Sequence, residues 1–207
     1  AISYWNSRLS TLSPLGSDYC QNQVRKFDRD RYLTTLFAPA DRRQGLFALY
    51  AFNYEVAKVS DVVSEPMLGH IRLQWWREAI DGIYSGSPRK HQIVEALATT
   101  INNHDLPRAP FDELIDAREA HREEQGPQTL QPWLDYVEAT SSTLVSLSLS
   151  ILGVQDETAH VAGKHVGVAW ALTGLLRAAP ERAERNQSFM STTLTDPSGM
   201  NRKVAAI

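Results

Sequence analysis

Hydrophobic residues recur along the chain at spacings of three and four, which is the period of an α-helix. The stretch from Gln131 to Leu152 has stripe positions at Trp133, Val137, Thr140, Leu144, Leu147 and Ile151. Another, from Asp156 to Ala179, carries a comparable stripe formed by Ala162, Val166, Ala169, Thr173 and Leu176. Serines on the other side of the first stretch are small enough to let a neighbouring helix approach closely. Since no convincing alternation with a period of two is present, the pattern predicts an all-α protein.

Proline and glycine residues divide the chain into segments of helical length. The predicted helices are Tyr19–Phe37, Ala40–Ser64, Met67–Tyr84, Lys90–Asn103, Phe111–Gln125, Gln131–Leu152 and Asp156–Ala179. Pro180 is expected to end the last helix, because proline has no backbone N–H to donate. We therefore predict a polar lead over residues 1–16, one helical domain over 17–179 and an irregular tail over 180–207.

The predicted helix Ala40–Ser64 is apolar on two opposite sides. At about 100° per residue, Tyr50, Tyr54 and Asp61 fall within one narrow sector, and valines occupy roughly the opposite side. A helix with this pattern is usually central and surrounded by its neighbours. Asp61 then requires a compensating group, because an unpaired buried charge is costly.

Glu65 follows Asp61 by four residues and would project from nearly the same helix face. Two carboxylates one turn apart can ligate Mg²⁺, a hard ion that favours oxygen ligands and keeps waters that a phosphate can replace. The alternative is structural: Asp61 pairs with an arginine or caps the following helix, and Glu65 is solvated. Spacing alone leaves both interpretations open.

Charge and cysteine content exclude several classes of function. The formal net charge is −3 and basic residues are spread along the chain, which argues against a nucleic-acid partner. Cys20 is the only cysteine, so the chain alone forms neither an intramolecular disulfide nor a cysteine-based metal site. No uninterrupted apolar run reaches the length of about 18 residues that a membrane span needs. The first residues also lack the layout of a secretion signal, so we expect a protein that is not secreted.

Four segments carry a resemblance to a known family. They are LFALYAFN (Leu46–Asn53), DVVSEPMLG (Asp61–Gly69), IRLQWWREAID (Ile71–Asp81) and GVAWALTGLLR (Gly167–Arg177). As a set, they resemble the squalene/phytoene synthase family from Asp18 to about Arg177. The resemblance implies the class I isoprenoid-synthase fold, a bundle of helices around a central cavity. It also implies that enzymes of the family join two prenyl diphosphates, using Mg²⁺ held by two facing acidic motifs.

The sequence departs from this pattern at both acidic motifs. The resemblance places the first motif at Ala57 and Asp61, and a shift of four residues gives Asp61 and Glu65 instead. The second motif would carry Asn, Arg and two Asp residues, but the matching positions read Gly174, Arg177, Ala178 and Arg182. Metal ions stabilise a departing diphosphate by bridging its oxygens, and carboxylates on both walls hold those ions. One motif alone would supply metal ligands from only one side of the cavity.

The segments VSEPMLG, RLQWWR and LLRAAP look like one branch of the family. That branch includes bacterial phytoene-synthase-like proteins and the mitochondrial assembly factor of respiratory complex I. The resemblance implies a non-catalytic protein with protein partners, which acts in assembly or stabilisation of a complex I-type respiratory complex. Its location would be the mitochondrial matrix side or the bacterial cytoplasm, with peripheral membrane association left open. Members of the family usually carry further helices after the second motif, and the predicted bundle lacks them.

Two other functions remain open at this stage. One is an Mg²⁺-dependent prenyl-diphosphate transferase whose reduced site consists of Asp61 and Glu65; the other is a binding protein for a prenyl chain or another lipid in the inherited cavity. Tyr50, Tyr54 and Arg177 are candidate residues for contact with a diphosphate or the cavity. No residue is assigned as catalytic, and no cofactor is expected unless the protein is the enzyme that uses Mg²⁺.

Overall fold

The computed structural model describes residues 15–59, 66–123 and 130–184, with side chains over 18–59, 67–120 and 131–177. All regular structure within these ranges is helical, which confirms the predicted all-α class. The α-helices are α1 Leu15–Phe27, α2 Arg29–Thr35, α3 Ala40–Ala57, α4 Pro66–Tyr84, α5 Gln92–His104, α6 Ala109–Glu123, α7 Leu130–Val137, α8 Thr143–Leu152 and α9 Glu157–Glu184. A π-helical turn, Glu138–Ser142, joins α7 to α8. None of these described helices combines the length and the apolar character that a membrane crossing requires.

The first predicted helix, Tyr19–Phe37, is two helices that meet at Asp28, so the prediction of one element is wrong. The backbone of Asp28 leaves the helical region, with φ −139° and ψ 70°. Its carboxylate accepts a hydrogen bond from the backbone N–H of Arg31 at 3.2 Å and another from the Arg31 guanidinium at 2.6 Å. Aspartate favours such an N-cap because its side chain satisfies a donor that the first helical turn leaves free.

The predicted helix Ala40–Ser64 also ends early, at Ala57. Its C-cap is Lys58, with φ −66° and ψ −15°. Residues 60–65, with the predicted metal pair Asp61 and Glu65, lie outside the described residues. The described part of α3 therefore relates Tyr50 to Tyr54 but does not place Asp61.

The last helix does not end at Ala179 as predicted, because α9 runs through Pro180 to Glu184. Proline removes one hydrogen bond from a helix, but its fixed φ of about −65° is itself helical. Near the end of a long helix, that single loss does not stop the chain from completing another turn. The remainder of the predicted tail, residues 185–207, lies outside the described residues.

Helix α3 is the centre of the bundle, as its two-sided apolar pattern predicted. It packs against α1, α2, α5, α6 and α8. Phe52 is fully buried and meets Trp76 and Phe111 edge to face, with ring centroids 5.4 and 5.7 Å apart. Aromatic pairs in this geometry add to the stabilisation that comes from burial alone.

Helix α9 lies close to the segment that precedes it, because small residues face each other there. A Cβ atom added at Gly167 would lie only 2.7 Å from the Cα of Ser142, so the two backbones nearly touch. Gly163, one turn earlier, lies against the side chains of Val145 and Leu149. The helix packs chiefly on α7, the π turn and α8. Because α9 packs mainly on one side, four of its large apolar side chains stay exposed, namely Val161, Val166, Trp170 and Leu176.

Cys20 should not react with thiol reagents in the folded protein. The side chain is fully buried, and this burial raises the pKa of the thiol to about 12, although a backbone hydrogen bond offsets part of the rise. Below that pKa the group stays protonated, and the thiolate is the form that reacts. We expect no labelling by Ellman's reagent at mildly alkaline pH and one equivalent of labelling in denaturant. Rapid labelling of the native protein would contradict the buried position of α1.

Candidate functional site

Tyr50 marks the place where α2, α3, α8 and α9 come together. Its hydroxyl lies 3.1 Å from the hydroxyl of Ser148 on α8, and either group can donate the hydrogen bond. Burial raises the pKa of Tyr50 above its ordinary value, while the Ser148 hydrogen bond and the nearby Arg31 oppose the rise. The phenol is therefore neutral at physiological pH, and it can donate or accept a hydrogen bond but cannot bind a metal ion as phenolate.

Arg31 fills the space between Tyr50 and the last helix. Its guanidinium carbon lies 5.6 Å from the centroid of the Tyr50 ring and 5.4 Å from that of Trp170. Asp28 holds the guanidinium at 2.6 Å, and both side chains of this ion pair are less than one fifth exposed, at 19% and 18%. Cations are attracted to the faces of aromatic rings, most strongly where water is excluded. We call Asp28, Arg31, Tyr50, Ser148 and Trp170 the Arg31 cluster.

No sequence pattern pointed to Arg31. It lies in the polar run Asp28–Arg31, inside the single helix Tyr19–Phe37 that the sequence predicts. The one available signal was the spacing of three between Asp28 and Arg31, which permits an N-cap and a local ion pair. The contacts with Tyr50 and Trp170 join residues that are far apart in the chain, so only the folded structure reveals them.

Tyr54 shares a face of α3 with Tyr50, but its ring has different neighbours. It stacks on Phe27 at the end of α1, with centroids 4.6 Å apart and ring planes within 9° of parallel. The ammonium group of Lys58 lies 5.2 Å from its centroid, and Lys58 forms an ion pair with Glu55 at 2.5 Å. The two tyrosines therefore do not form one polar pair.

Arg177 extends from α9 toward α2, where it meets Asp30 at 3.3 Å. Both side chains are largely exposed, at 74% and 55%. A surface ion pair of this kind contributes at most about 1 kcal/mol. Arg177, the predicted contact for a diphosphate, thus pairs instead with the carboxylate of Asp30 in the same chain.

Comparison with known proteins identifies the family of the chain. Residues 24–205 match the family model for squalene/phytoene synthase. The chain belongs to the squalene/phytoene synthase family. This agrees with the resemblance seen in the sequence segments around Tyr50 and Arg177.

Curated squalene/phytoene synthase relatives fall into two groups. The "NADH dehydrogenase (ubiquinone) complex I, assembly factor 6" of Bos taurus is 36% identical over 182 residues, which cover 87% of this chain and 55% of that protein. The Drosophila melanogaster homologue of this factor is 32% identical, with 80% and 51% covered. The chloroplastic phytoene synthase of Daucus carota is 24% identical, with 84% and 45% covered. The chain therefore spans about half the length of the curated relatives it matches.

Solved structures of the same family confirm the predicted fold. Squalene synthase HpnC from Alicyclobacillus acidocaldarius superposes with a TM-score of 0.74 at 20% identity, covering 84% of this chain and 65% of that one. A dehydrosqualene synthase in complex with a ligand gives the same TM-score at 18% identity, covering 85% and 61%. The described helices thus form the isoprenoid-synthase-like bundle of the squalene/phytoene synthase family.

The positions that the family resemblance assigns to the second acidic motif all lie on α9. They are Gly174, Arg177, Ala178 and Arg182. Gly174 is exposed, and a Cβ atom added there would have no neighbour within 4 Å. At the positions where the enzyme pattern would supply an Asn and two Asp residues, the sequence of α9 therefore has Gly174, Ala178 and Arg182.

Three acidic side chains at the start of α2 and on α3 already have cationic partners. Asp28 pairs with Arg31, Asp30 pairs with Arg177, and Glu55 pairs with Lys58. In the described part of the chain, no three side chains among His, Cys, Asp and Glu are gathered as a metal site would require. Binding of Mg²⁺ to any of these three acids would require an existing ion pair to break. Whether Asp61 and Glu65 bind a metal ion stays a prediction.

Proposed function

We propose that this chain is a non-catalytic member of the squalene/phytoene synthase family, which acts through protein contacts in the assembly or stabilisation of a complex I-type respiratory complex. The observation that carries the proposal is the charge balance at the Arg31 cluster. Arg31 lies between the rings of Tyr50 and Trp170 there, and Asp28 forms an ion pair with it. The assembly role draws support from the relatives named complex I assembly factor 6.

Metal–diphosphate chemistry needs carboxylates that are free to bind cations. Ionisation of an allylic diphosphate leaves several negative charges on the departing group, and Mg²⁺ must bridge its oxygens. A fixed guanidinium repels Mg²⁺, and the acids Asp28, Asp30 and Glu55 are neutralised by Arg31, Arg177 and Lys58, respectively. The arrangement is suited to holding helices together rather than to assembling a metal cluster.

Action through protein contacts requires an accessible surface, and the exposed apolar residues supply one. Val166 and Leu176 on α9 are 59% and 62% exposed. Phe37, which follows α2, is 91% exposed. Exposed apolar side chains can contribute to sites that bind other macromolecules. We assign α9 the main contact with the assembling complex, on the mitochondrial matrix side or in the bacterial cytoplasm.

Rescue of cells that lack the gene tests this proposal. We expect wild-type protein to restore the assembled complex, and Val166→Asp with Leu176→Asp to abolish rescue without lowering the melting temperature of the purified protein. The matched control is Thr99→Asp, which places the same charge on an exposed site of α5 and should rescue fully. Full rescue by the α9 variant would contradict the proposed contact.

The same purified protein also tests the catalytic alternative. Incubation with farnesyl diphosphate and Mg²⁺ should release no pyrophosphate. Turnover that disappears in Asp61→Ala would instead establish the Mg²⁺-dependent prenyl-diphosphate transferase built on Asp61 and Glu65. Retention of a lipid by the helical bundle is compatible with the non-catalytic function, and extraction of the purified protein followed by mass spectrometry would detect it.

A further inference from the structure

The end of α2 and the turn that follows it carry a group of exposed apolar side chains. Leu33 and Leu36 are 45% and 39% exposed, and Phe37 is 91% exposed. The backbone N–H groups of Leu36 and Phe37 bond to the carbonyls of Leu33 and Thr34, so the chain stays helically wound through these residues. Residues three and four apart lie side by side on a wound chain. We call Leu33, Leu36 and Phe37 the α2 tip.

The fold holds the α2 tip away from the core. Toward the core, Thr35 is buried, and the ring of Tyr32 stacks on that of Phe47 with centroids 5.7 Å apart. The Nε atom of Arg43 donates to the carbonyl of Ala38 at 2.8 Å, which ties the turn to α3. The tip cannot fold back onto the bundle without breaking these contacts. Its apolar surface therefore stays in water unless another molecule covers it.

The segment around the α2 tip is basic, although the whole chain is acidic. Residues 25–43 contain six basic residues and three aspartates, a net charge of +3, whereas the chain has −3. All three aspartates are already paired with arginines. Arg29 is exposed and lies four residues before Leu33, so it shares the face of α2 that carries the tip. The exposed apolar group is thus bordered by cations.

We infer that the α2 tip binds the surface of an anionic lipid bilayer. Leu33, Leu36 and Phe37 enter the boundary between the headgroups and the acyl chains, while Arg29 and Arg43 meet lipid phosphates. Apolar side chains next to basic ones are typical of protein segments that lie in a membrane interface. The negative surface of such a bilayer attracts the excess positive charge. The inference does not depend on the proposed assembly function, whose main contact we assign to α9.

The small size of the α2 tip favours a bilayer over a protein as its partner. Phe37 is the most exposed large apolar residue among those that the structure describes, and it lies on a tight turn rather than along a broad face. Three side chains offer far less than the roughly 800 Å² that each partner buries in a standard protein interface. A fluid bilayer, in contrast, can close around a few inserted side chains.

Co-sedimentation of the purified full chain with lipid vesicles tests this inference. We expect saturable binding to vesicles of phosphatidylcholine and phosphatidylglycerol in equal amounts. Binding to vesicles of phosphatidylcholine alone should be about tenfold weaker or more, because the attraction between the basic segment and the anionic headgroups is lost. High salt should also weaken binding to the anionic vesicles, since it screens exposed charges.

Two substitutions separate the apolar and the basic contributions. Phe37→Ala should weaken binding to the anionic vesicles about fivefold or more, through the lost burial of apolar surface. Arg29→Gln should weaken it about fivefold, as the loss of one basic residue near an anionic surface does. Both side chains are exposed, so the variants should keep the wild-type melting temperature. The matched control is Met67→Ala, which removes a 68% exposed side chain from α4 and should bind like wild type.

A fluorescent label at position 37 distinguishes insertion from attraction by charge alone. Cys20 is fully buried, so a thiol-reactive, polarity-sensitive dye should label Phe37→Cys at the new residue. Its emission should shift to the blue on addition of anionic vesicles, whereas the same dye on Thr99→Cys, an exposed site of α5, should not respond.

Absence of vesicle binding would overturn the inference and leave Phe37 to a protein partner. Equal binding to neutral vesicles, wild-type binding by Phe37→Ala, or an unchanged emission at position 37 would overturn it as well. None of these outcomes bears on rescue by the α9 variant, so the two proposals fail independently.

Discussion

Gly167→Ala is expected to lower the free energy of unfolding by about 1–3 kcal/mol, the usual cost of forcing an extra methyl group into a packed site. The added Cβ would lie 2.7 Å from Ser142 Cα and 2.9 Å from Ser142 N. These are backbone atoms, which cannot rotate away, so α9 must move as a unit. That movement would also stretch the hydrogen bond from the Ser142 hydroxyl to the Lys164 carbonyl, now 2.9 Å long. Urea denaturation measures the change.

Gly174→Ala is the matched control, because it makes the same substitution two turns further along the same helix. Nothing lies within 4 Å of a Cβ atom at this position. Alanine should therefore stabilise the protein by up to about 1 kcal/mol, through its higher helix propensity. If the two variants have equal stability, the close approach of α9 to the π turn is wrong.

Phe52→Ala is expected to cost about 3–5 kcal/mol, since the substitution leaves a cavity and removes apolar contact in the core. Phe52 has no exposed surface and its ring edge meets Trp76 and Phe111 at the junction of α3, α4 and α6. The loss is a large share of the total stability of about 5–15 kcal/mol that folded domains have. A fall in the urea midpoint, with the slope unchanged, would measure it.

Phe37→Ala provides the comparison for this core substitution. The side chain is 91% exposed, so its removal should change the unfolding free energy by no more than about 0.5 kcal/mol. A large loss would mean that Phe37 is covered in the folded chain and is not available to a partner. An unchanged stability, together with poor rescue of complex assembly, would instead extend the proposed contact surface from α9 to Phe37.

The packing of α9 links these stability predictions to the proposed function. The helix is held on one side by glycine contacts with the π turn and α8, and on another by Arg31 and Asp30 of α2. Val166 and Leu176 remain exposed on this helix. A helix held in this way presents a fixed apolar surface, which suits recognition of another protein better than a mobile segment does, because less conformational entropy is lost on binding.

Local chemistry accounts for the differences between the predicted and observed helices. The hydrophobic period predicted α4, α5 and α6 close to their observed bounds, because one buried face is enough to define a helix. It predicted α7, the π turn and α8 as one helix, Gln131–Leu152. It could not predict the break at Asp28, since the N-cap competes with an unbroken helix by a few hydrogen bonds. The expected end of the last helix at Pro180 was also wrong, because α9 continues for about one further turn to Glu184.

The sequence by itself determined the all-α class, the central place of α3 and the family, because each depends on the order of side chains along single helices. Only the tertiary structure decided how the charges pair. The Arg31 contacts with Tyr50 and Trp170 and the Arg177 pair with Asp30 join different helices. Coulomb and ring interactions act over a few ångströms of space, and no spacing along the chain encodes which helices meet at those distances.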